Sequence, residues 1–404
     1  MHSTQISAIH RQIERLPKVI KFLNSLERNS DKTSASYKTS IAYFHDFLSN
    51  NYNDNPESVL SLIFSKETDV YSLLDEFIEF LQTKDITPAS INQYLASIRS
   101  YLGYYDIDIV PSKFKRRVRI PKVFHEEEEP IDVKDIRKML LNCNNRRLKT
   151  YVLVLASSGL RASEACAIRL CDIDFTVHPT KIHIRKEYTK TRVSRDVWIS
   201  DEATKYLQDW IAFKHGQDFL DSMNYNEEFN IYNIKKNRRN LESLVFQVQT
   251  NNENVTPQSL YTKILLQFQK LLEVSGFNER KEGMKRRKIT LHSFRRFVKT
   301  ILSDCVGKEY SEWYLGHAKS GYYVSKPAVR AITYAEKAMK YLTFLDYSSL
   351  EATGKNIESK LSEKENEIKL LRQKDAINTD AISALSDQLS HVMKEIELLK
   401  ENSL

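Results

Sequence analysis

Apolar residues recur every three or four positions through most of this 404-residue chain, and the period shortens to two only between Ile182 and Ile199. Helices repeat every 3.6 residues and strands every two, so this spacing calls for a mainly α protein with a small β-sheet. Nine Gly and nine Pro are too few for a collagen-like, propeller or turn-rich all-β design. A hydrophobic share of 41% excludes global disorder and supplies core for two or three domains at this length.

The first helical stripe runs over 32–49, with Tyr37, Ile41, Phe44 and Leu48 on one face. A second spans 70–83 through Leu73, Phe77 and Leu81. Thr87-Pro88 opens a third, carried by Ile91, Leu95, Ile98 and Leu102, because proline at the first helical position forfeits no hydrogen bond. Residues 106–131 hold Pro111, Pro121, Pro130 and mixed charge runs, the composition of a linker. Helices are expected again at 132–142, where Asp132 caps, and at 146–158, 201–213, 257–275, 291–304, 309–316 and from Ser325 to about Leu342. Ile182–Arg185 and Val193–Ile199 are expected as two strands around the turn Glu187–Thr191. The Asn-rich, charged stretch 214–256 is expected as an insertion or loop.

From 361 the pattern is a heptad seam. Leu361, Ile368, Ile382, Leu389 and Ile396 alternate with Leu371, Leu385, Val392 and Leu399, broken at Asp375 and Asn378. A coiled coil or a lone amphipathic helix accounts for it, and the length of the seam favours the coiled coil.

The formal net charge is +8, yet residues 351–404 carry 8 basic and 11 acidic side chains, which leaves +11 on the rest. Clusters such as Lys113–Arg119, Lys235–Arg239 and Lys285–Lys288 suit a polyanion, nucleic acid above all. No apolar run is long enough to cross a bilayer, and the first residues lack the apolar stretch of a secretory leader. The four Cys form no CxxC pair, so structural zinc and a disulfide framework are not expected, and a reducing cytoplasm fits.

Four patches carry phosphate chemistry. In Ser157-Ser-Gly-Leu-Arg161-Ala-Ser-Glu164 a guanidinium suited to bidentate phosphate binding shares a helix face with a carboxylate. Lys190 stands in a turn between the strands, where an ammonium can reach a site and donate a proton. His292-Ser-Phe-Arg295 puts an imidazole and a guanidinium on one helix face. Trp313-Tyr-Leu-Gly-His317 presents an imidazole at a helix end. Each alone has an ordinary explanation as well: a surface ion pair, a lysine on a turn, a solvated helix pair, a helix-capping histidine.

In this order and spacing the four patches resemble the catalytic domain of the tyrosine recombinase (phage integrase) family over 132–345, and 33–105 resembles that family's helical core-binding domain. The Tyr322-Tyr323 pair and the long C-terminal helix are similar to archaeal members. The resemblance implies a helical DNA-binding domain over 1–105 and a catalytic domain over 132–345; composition makes 106–131 the linker between them, and the heptad seam makes 346–404 a coiled-coil tail. It implies Arg161, Lys190, His292, Arg295 and His317 as catalytic groups, Glu164 as their support and a tyrosine nucleophile. Most of the family carries that tyrosine about nine residues after the Gly-His histidine, where this chain has Lys326. Tyr322 ranks first because it precedes a polar step and the helix start at Ser325-Lys-Pro327; Tyr323 follows it, and Tyr334, among apolar neighbours, comes last.

What the resemblance further implies is cleavage and rejoining of double-stranded DNA without metal or cofactor, through a 3′-phosphotyrosyl link. It also implies a homo-oligomer, a tetramer on DNA helped by the tail, serving DNA integration or recombination of a mobile element near a prokaryotic nucleoid. A type IB topoisomerase-like enzyme and a cleavage-deficient DNA-binding protein are the alternatives on this fold.

Overall fold

A computed structural model describes residues 9–123, 130–224, 241–248, 255–280, 287–317 and 326–345, with the single positions 364 and 368. The chain is mainly helical, with one three-stranded sheet among the described residues. It divides into two compact units, Met1–Glu127 and Glu128–Leu404. No helix of the described residues is long and apolar enough to cross a membrane.

In the first unit the helices Asp31–Tyr52, Val70–Thr83 and Pro88–Tyr104 realise the three expected stripes. Ser30 and Asp69 cap the first two by accepting from the Thr33 and Ser72 amides, and Pro88 opens the third. Phe22, Phe44, Phe47, Phe77 and Tyr101 are fully buried between them. The expected linker is partly structured instead. Pro111–Arg117 is a helix, and Ile107, Phe114 and Val118 join the core of this unit. Pro111 starts that helix rather than breaking it, and one buried ring among exposed cations is enough to hold a short helix down.

The second unit is built around Arg146–Ser158. Every residue from Thr150 to Ser158 is buried, so this helix is enclosed on all sides. Val133–Leu141 precedes it, with a reciprocal cap between Asp132 and Asp135. The strands β1 (Ile173–Asp174), β2 (Lys181–Ile184) and β3 (Arg195–Trp198) form an antiparallel sheet in that order, with Ile182 opposite Val197 and Ile184 opposite Arg195. The two-residue β1 is too short to leave a periodic signal.

Further helices are Asp201–His215, Pro257–Val274, Leu291–Cys305, Lys308–Tyr314 and Pro327–Thr333. The helix expected to reach Leu342 loses its regular pitch after Thr333, passing through a π turn at Tyr334–Ala338 and a 3-10 turn at Met339–Leu342. The stretch expected as one long loop contains a helix, Gln217–Asn224. It also sends Leu244, Val245 and Phe246 into the core. The Val245 amide donates to Ile168 at 2.9 Å, and the Trp210 indole donates to the Val245 carbonyl at 2.9 Å. Apart from positions 364 and 368, the heptad seam lies outside the described residues.

Candidate active site

Two glycine turns and one buried arginine make the frame. Gly159 ends the Arg146–Ser158 helix in the left-handed region at φ +64°, and its amide donates back to Leu155 at 2.9 Å. A Cβ there would stand 2.8 Å from Leu315 Cδ2 and 2.9 Å from Val298 Cγ1, so no side chain fits. Gly316 ends Lys308–Tyr314 in the same way, at φ +69°. Its amide donates to Trp313 at 2.9 Å, and the His317 amide reaches back to Glu312 at 3.0 Å. Those two bonds are a Schellman motif. The Gly-His step therefore has a structural origin: glycine supplies the left-handed turn, and the next residue is delivered against the helix end.

Arg295 ties the two turns together. From the Leu291–Cys305 helix, its Nη1 donates to the Gly159 carbonyl at 2.8 Å and its Nη2 to the Leu315 carbonyl at 2.5 Å. Nη2 also lies 3.3 Å from His317 Nε2. Arg295 is 3% exposed. Burial, and next the nearby Arg161 charge, lower its pKa to about 9, so the guanidinium stays charged at neutral pH.

Arg161 sits at the start of Ala162–Ala167. Its amide donates to Glu164 Oε2 at 3.0 Å and its Nη1 to Glu164 Oε1 at 2.7 Å. The Glu164 side chain is fully buried, yet Arg161 keeps 22% of its own side chain exposed. On its other side Glu164 accepts both Nη atoms of Arg195, at 3.3 and 2.7 Å. Burial by itself would raise the Glu164 pKa; the Arg195 and Arg161 contacts outweigh it and hold the carboxyl below its ordinary range. Arg195 donates further to the Tyr314 carbonyl at 3.3 Å and packs 3.0 Å from where a Gly316 Cβ would be.

The structure thus gathers Arg161, Glu164, Arg295 and His317 into one cluster. His292 is exposed on the Leu291–Cys305 helix, three positions before Arg295 and on the same face. Lys190 is exposed in the connection between β2 and β3. Tyr322 and Tyr323 lie outside the described residues. Tyr334 is fully buried, stacked on Tyr314 with centroids 5.8 Å apart, and its hydroxyl donates to the Ser157 carbonyl at 2.9 Å. Burial raises its pKa far above the ordinary phenol value.

Sequence reasoning missed three members of the cluster. Arg195 shares the inward face of β3 with Val197, an alternation visible in the chain. Glu312 precedes His317 by five residues and accepts its Nδ1 hydrogen, and Lys299, four residues after Arg295, holds the same carboxylate at 2.7 Å.

Comparison with known proteins points the same way. Residues 129–321 match the Phage integrase family. Tyrosine recombinase XerA of Saccharolobus solfataricus is 28% identical over 197 residues, covering 47% of this chain and 60% of that protein. Tyrosine recombinase XerD of Rickettsia conorii is 27% identical over 207 residues, covering 47% and 63%. The chain therefore matches less than two thirds of either relative's length. A lambda integrase dimer bound to a COC′ core site shares the fold at a TM-score of 0.51 and 12% identity, over 77% of this chain and 97% of that one.

Proposed function

We propose that this chain, whose residues 129–321 match the Phage integrase family, is a site-specific recombinase of double-stranded DNA working through a 3′-phosphotyrosyl intermediate. The observation that carries the reading is the cluster of Arg161, Arg295 and His317, braced by Glu164 and by two glycine turns.

A phosphodiester repels nucleophiles, and its equatorial oxygens gain charge on the way to the phosphorane. Fixed cations aimed at those oxygens lower the barrier without reorganising. Arg161 and Arg295 are such cations. Arg295 spends one hydrogen on each of two carbonyls, and a guanidinium has N–H groups left over for phosphate. His317, at the edge of Arg295, adds a hydrogen bond to the same phosphate.

Tyr322 is the proposed nucleophile, with Tyr323 as alternative. Its oxygen bonds to phosphorus as the bond from phosphorus to the 5′-oxygen breaks. His292 takes the phenol proton, and Lys190 gives one to the leaving 5′-hydroxyl. A 5′-hydroxyl from a second strand reverses these steps and rejoins the DNA. No cofactor enters this scheme. The heptad seam at 361–399 is proposed to assemble protomers on DNA, as a tetramer.

The test is to incubate the full chain with nicked duplexes of randomised sequence, denature with detergent and map the DNA-bearing residue by mass spectrometry. An adduct on Tyr322 or Tyr323 is expected, and it disappears with the corresponding Tyr→Phe variant. Retention of DNA without any adduct identifies a binding protein on this fold instead. An adduct on Tyr334 overturns the nucleophile assignment.

A further inference from the structure

One buried carboxylate holds two arginines at this site, although a single guanidinium would balance its charge. Arg161 alone neutralises Glu164 through the 2.7 Å contact from its Nη1. A second guanidinium drawn into the interior gives up its water, and a buried ion pair is often no more stable than the apolar contact it displaces. Stability therefore does not account for Arg195, whose side chain is only 6% exposed.

What Arg195 adds is geometry. Its Nη1 donates to Glu164 Oε1 at 3.3 Å and its Nη2 to Glu164 Oε2 at 2.7 Å, one nitrogen for each oxygen. Such a fork brings guanidinium and carboxylate toward one plane and fixes the torsion of the carboxylate. With that plane set, Oε2 receives the Arg161 amide at 3.0 Å while Oε1 takes Arg161 Nη1. The fork is itself confined. Arg195 stands on β3, paired opposite Ile184 of β2. Its Nε donates to the Tyr314 carbonyl at 3.3 Å. The bare Cα of Gly316 makes room for it, because a Cβ there would lie 3.0–3.1 Å from the Arg195 Cδ, Nε and Nη1.

We propose that Arg195 is a positioning residue: through Glu164 it sets the direction of the Arg161 guanidinium, and so where the remaining N–H groups of Arg161 meet the scissile phosphate. Arg195 touches no reacting atom; Arg161, with 22% of its side chain exposed, is the member of the trio that reaches solvent. The catalytic consequence rests on the recombinase reading above, whereas the ordering of Arg161 does not. Arg195→Lys isolates the effect. It keeps a cation beside Glu164 and loses the fork, since an ammonium is a point charge with no plane to impose.

The experiment uses the full chain, with 15N-labelled arginine for NMR and nicked duplexes of randomised sequence for adduct formation. In wild type the Nη hydrogens of Arg161 should give separate resonances, assigned by their loss in Arg161→Ala. In Arg195→Lys they should merge as the guanidinium turns freely. Adduct formation by Arg195→Lys should slow about tenfold to a hundredfold, the scale for misplacing a working group by up to an ångström, with DNA retention unchanged. A double-mutant cycle separates positioning from folding. If Arg195 acts through Arg161, Arg195→Lys brings no further loss in an Arg161→Ala background, whereas damage to the fold brings the same loss in both. The same loss in both backgrounds overturns the proposal. So does an undiminished rate in Arg195→Lys, or an Arg161 signal indifferent to position 195. If urea melts show Arg195→Lys unfolded, the pair Arg195→Met/Glu164→Gln takes its place in the cycle with the same outcomes, because it strands no buried charge. If wild type forms no adduct at all, the recombinase reading fails, and the NMR arm still decides whether Arg195 orders Arg161.

Discussion

Two carboxylates brace this site, and each is shared by two basic side chains. Glu164 lies between Arg161 and Arg195, and Glu312 lies between Lys299 and His317. They differ in solvent. The Glu164 side chain is fully buried, whereas Glu312 keeps 25% of its side chain exposed. In the interior a charge without its partner has no water to replace it, so removing one side of a buried pair strands the other. At the surface water substitutes readily, and the same pair contributes little to stability. Glu164 is accordingly a structural member on which the fold depends, and Glu312 is free to serve geometry alone.

The largest expected effect tests that contrast directly. Glu164→Ala leaves Arg195, with its side chain 6% exposed, buried beside no carboxylate. The expected loss is about 3–5 kcal/mol of unfolding free energy, read from urea melts. A midpoint close to wild type would break the comparison. Acid supplies a second view of the same group. The folded-state pKa of Glu164 is depressed below its ordinary 4.5, so its stabilisation is complete above that pH and fades as pH falls through the folded value. Glu164→Gln should remove this acid-dependent portion, leaving a flatter stability profile below about pH 4.5.

Arg161 comes next, because it hangs from the buried carboxylate and still reaches solvent. Arg161→Ala should slow adduct formation by about 10²–10³, the range for losing one preorganised donor to a developing oxyanion. Its urea midpoint should barely move, and DNA retention should persist because binding is spread over many phosphates. Equal rates in mutant and wild type would detach Arg161 from the chemistry.

A smaller effect is expected at Gly316, the hinge between the two braces. Gly316→Ala forces a left-handed backbone on alanine and crowds the Arg195 side chain at 3.0–3.1 Å, at a cost of about 1–2 kcal/mol. It should also disturb His317, visible as a shift of its ring resonances.

Smallest is Glu312→Ala, at no more than about 1 kcal/mol of unfolding free energy, in contrast with Glu164→Ala. A loss as large as that of Glu164→Ala would erase the distinction between the two carboxylates.

How much of this was legible in the chain depended on distance along it. Helix positions, the Asp132 cap and the Pro88 start are set by residues within a turn of each other, so the sequence alone specified them. The same holds for Arg161 with Glu164, three residues apart, and for the Gly-His step, whose Schellman motif closes within six residues. What the sequence left open was decided by contacts between distant segments. Arg195 finds Glu164 from 31 positions away, and Arg295 finds the Gly159 carbonyl from 136. No periodicity encodes such a pairing, because it depends on which helix packs against which turn. Phe114 looked like part of a linker until a neighbouring core covered it, and Tyr334 was one of three candidate nucleophiles until its hydroxyl was seen bonded to Ser157 in the interior. Local sequence determined which groups are present and which way each element turns. Tertiary packing decided which charges are stripped of water, and a charge stripped of water must be paired.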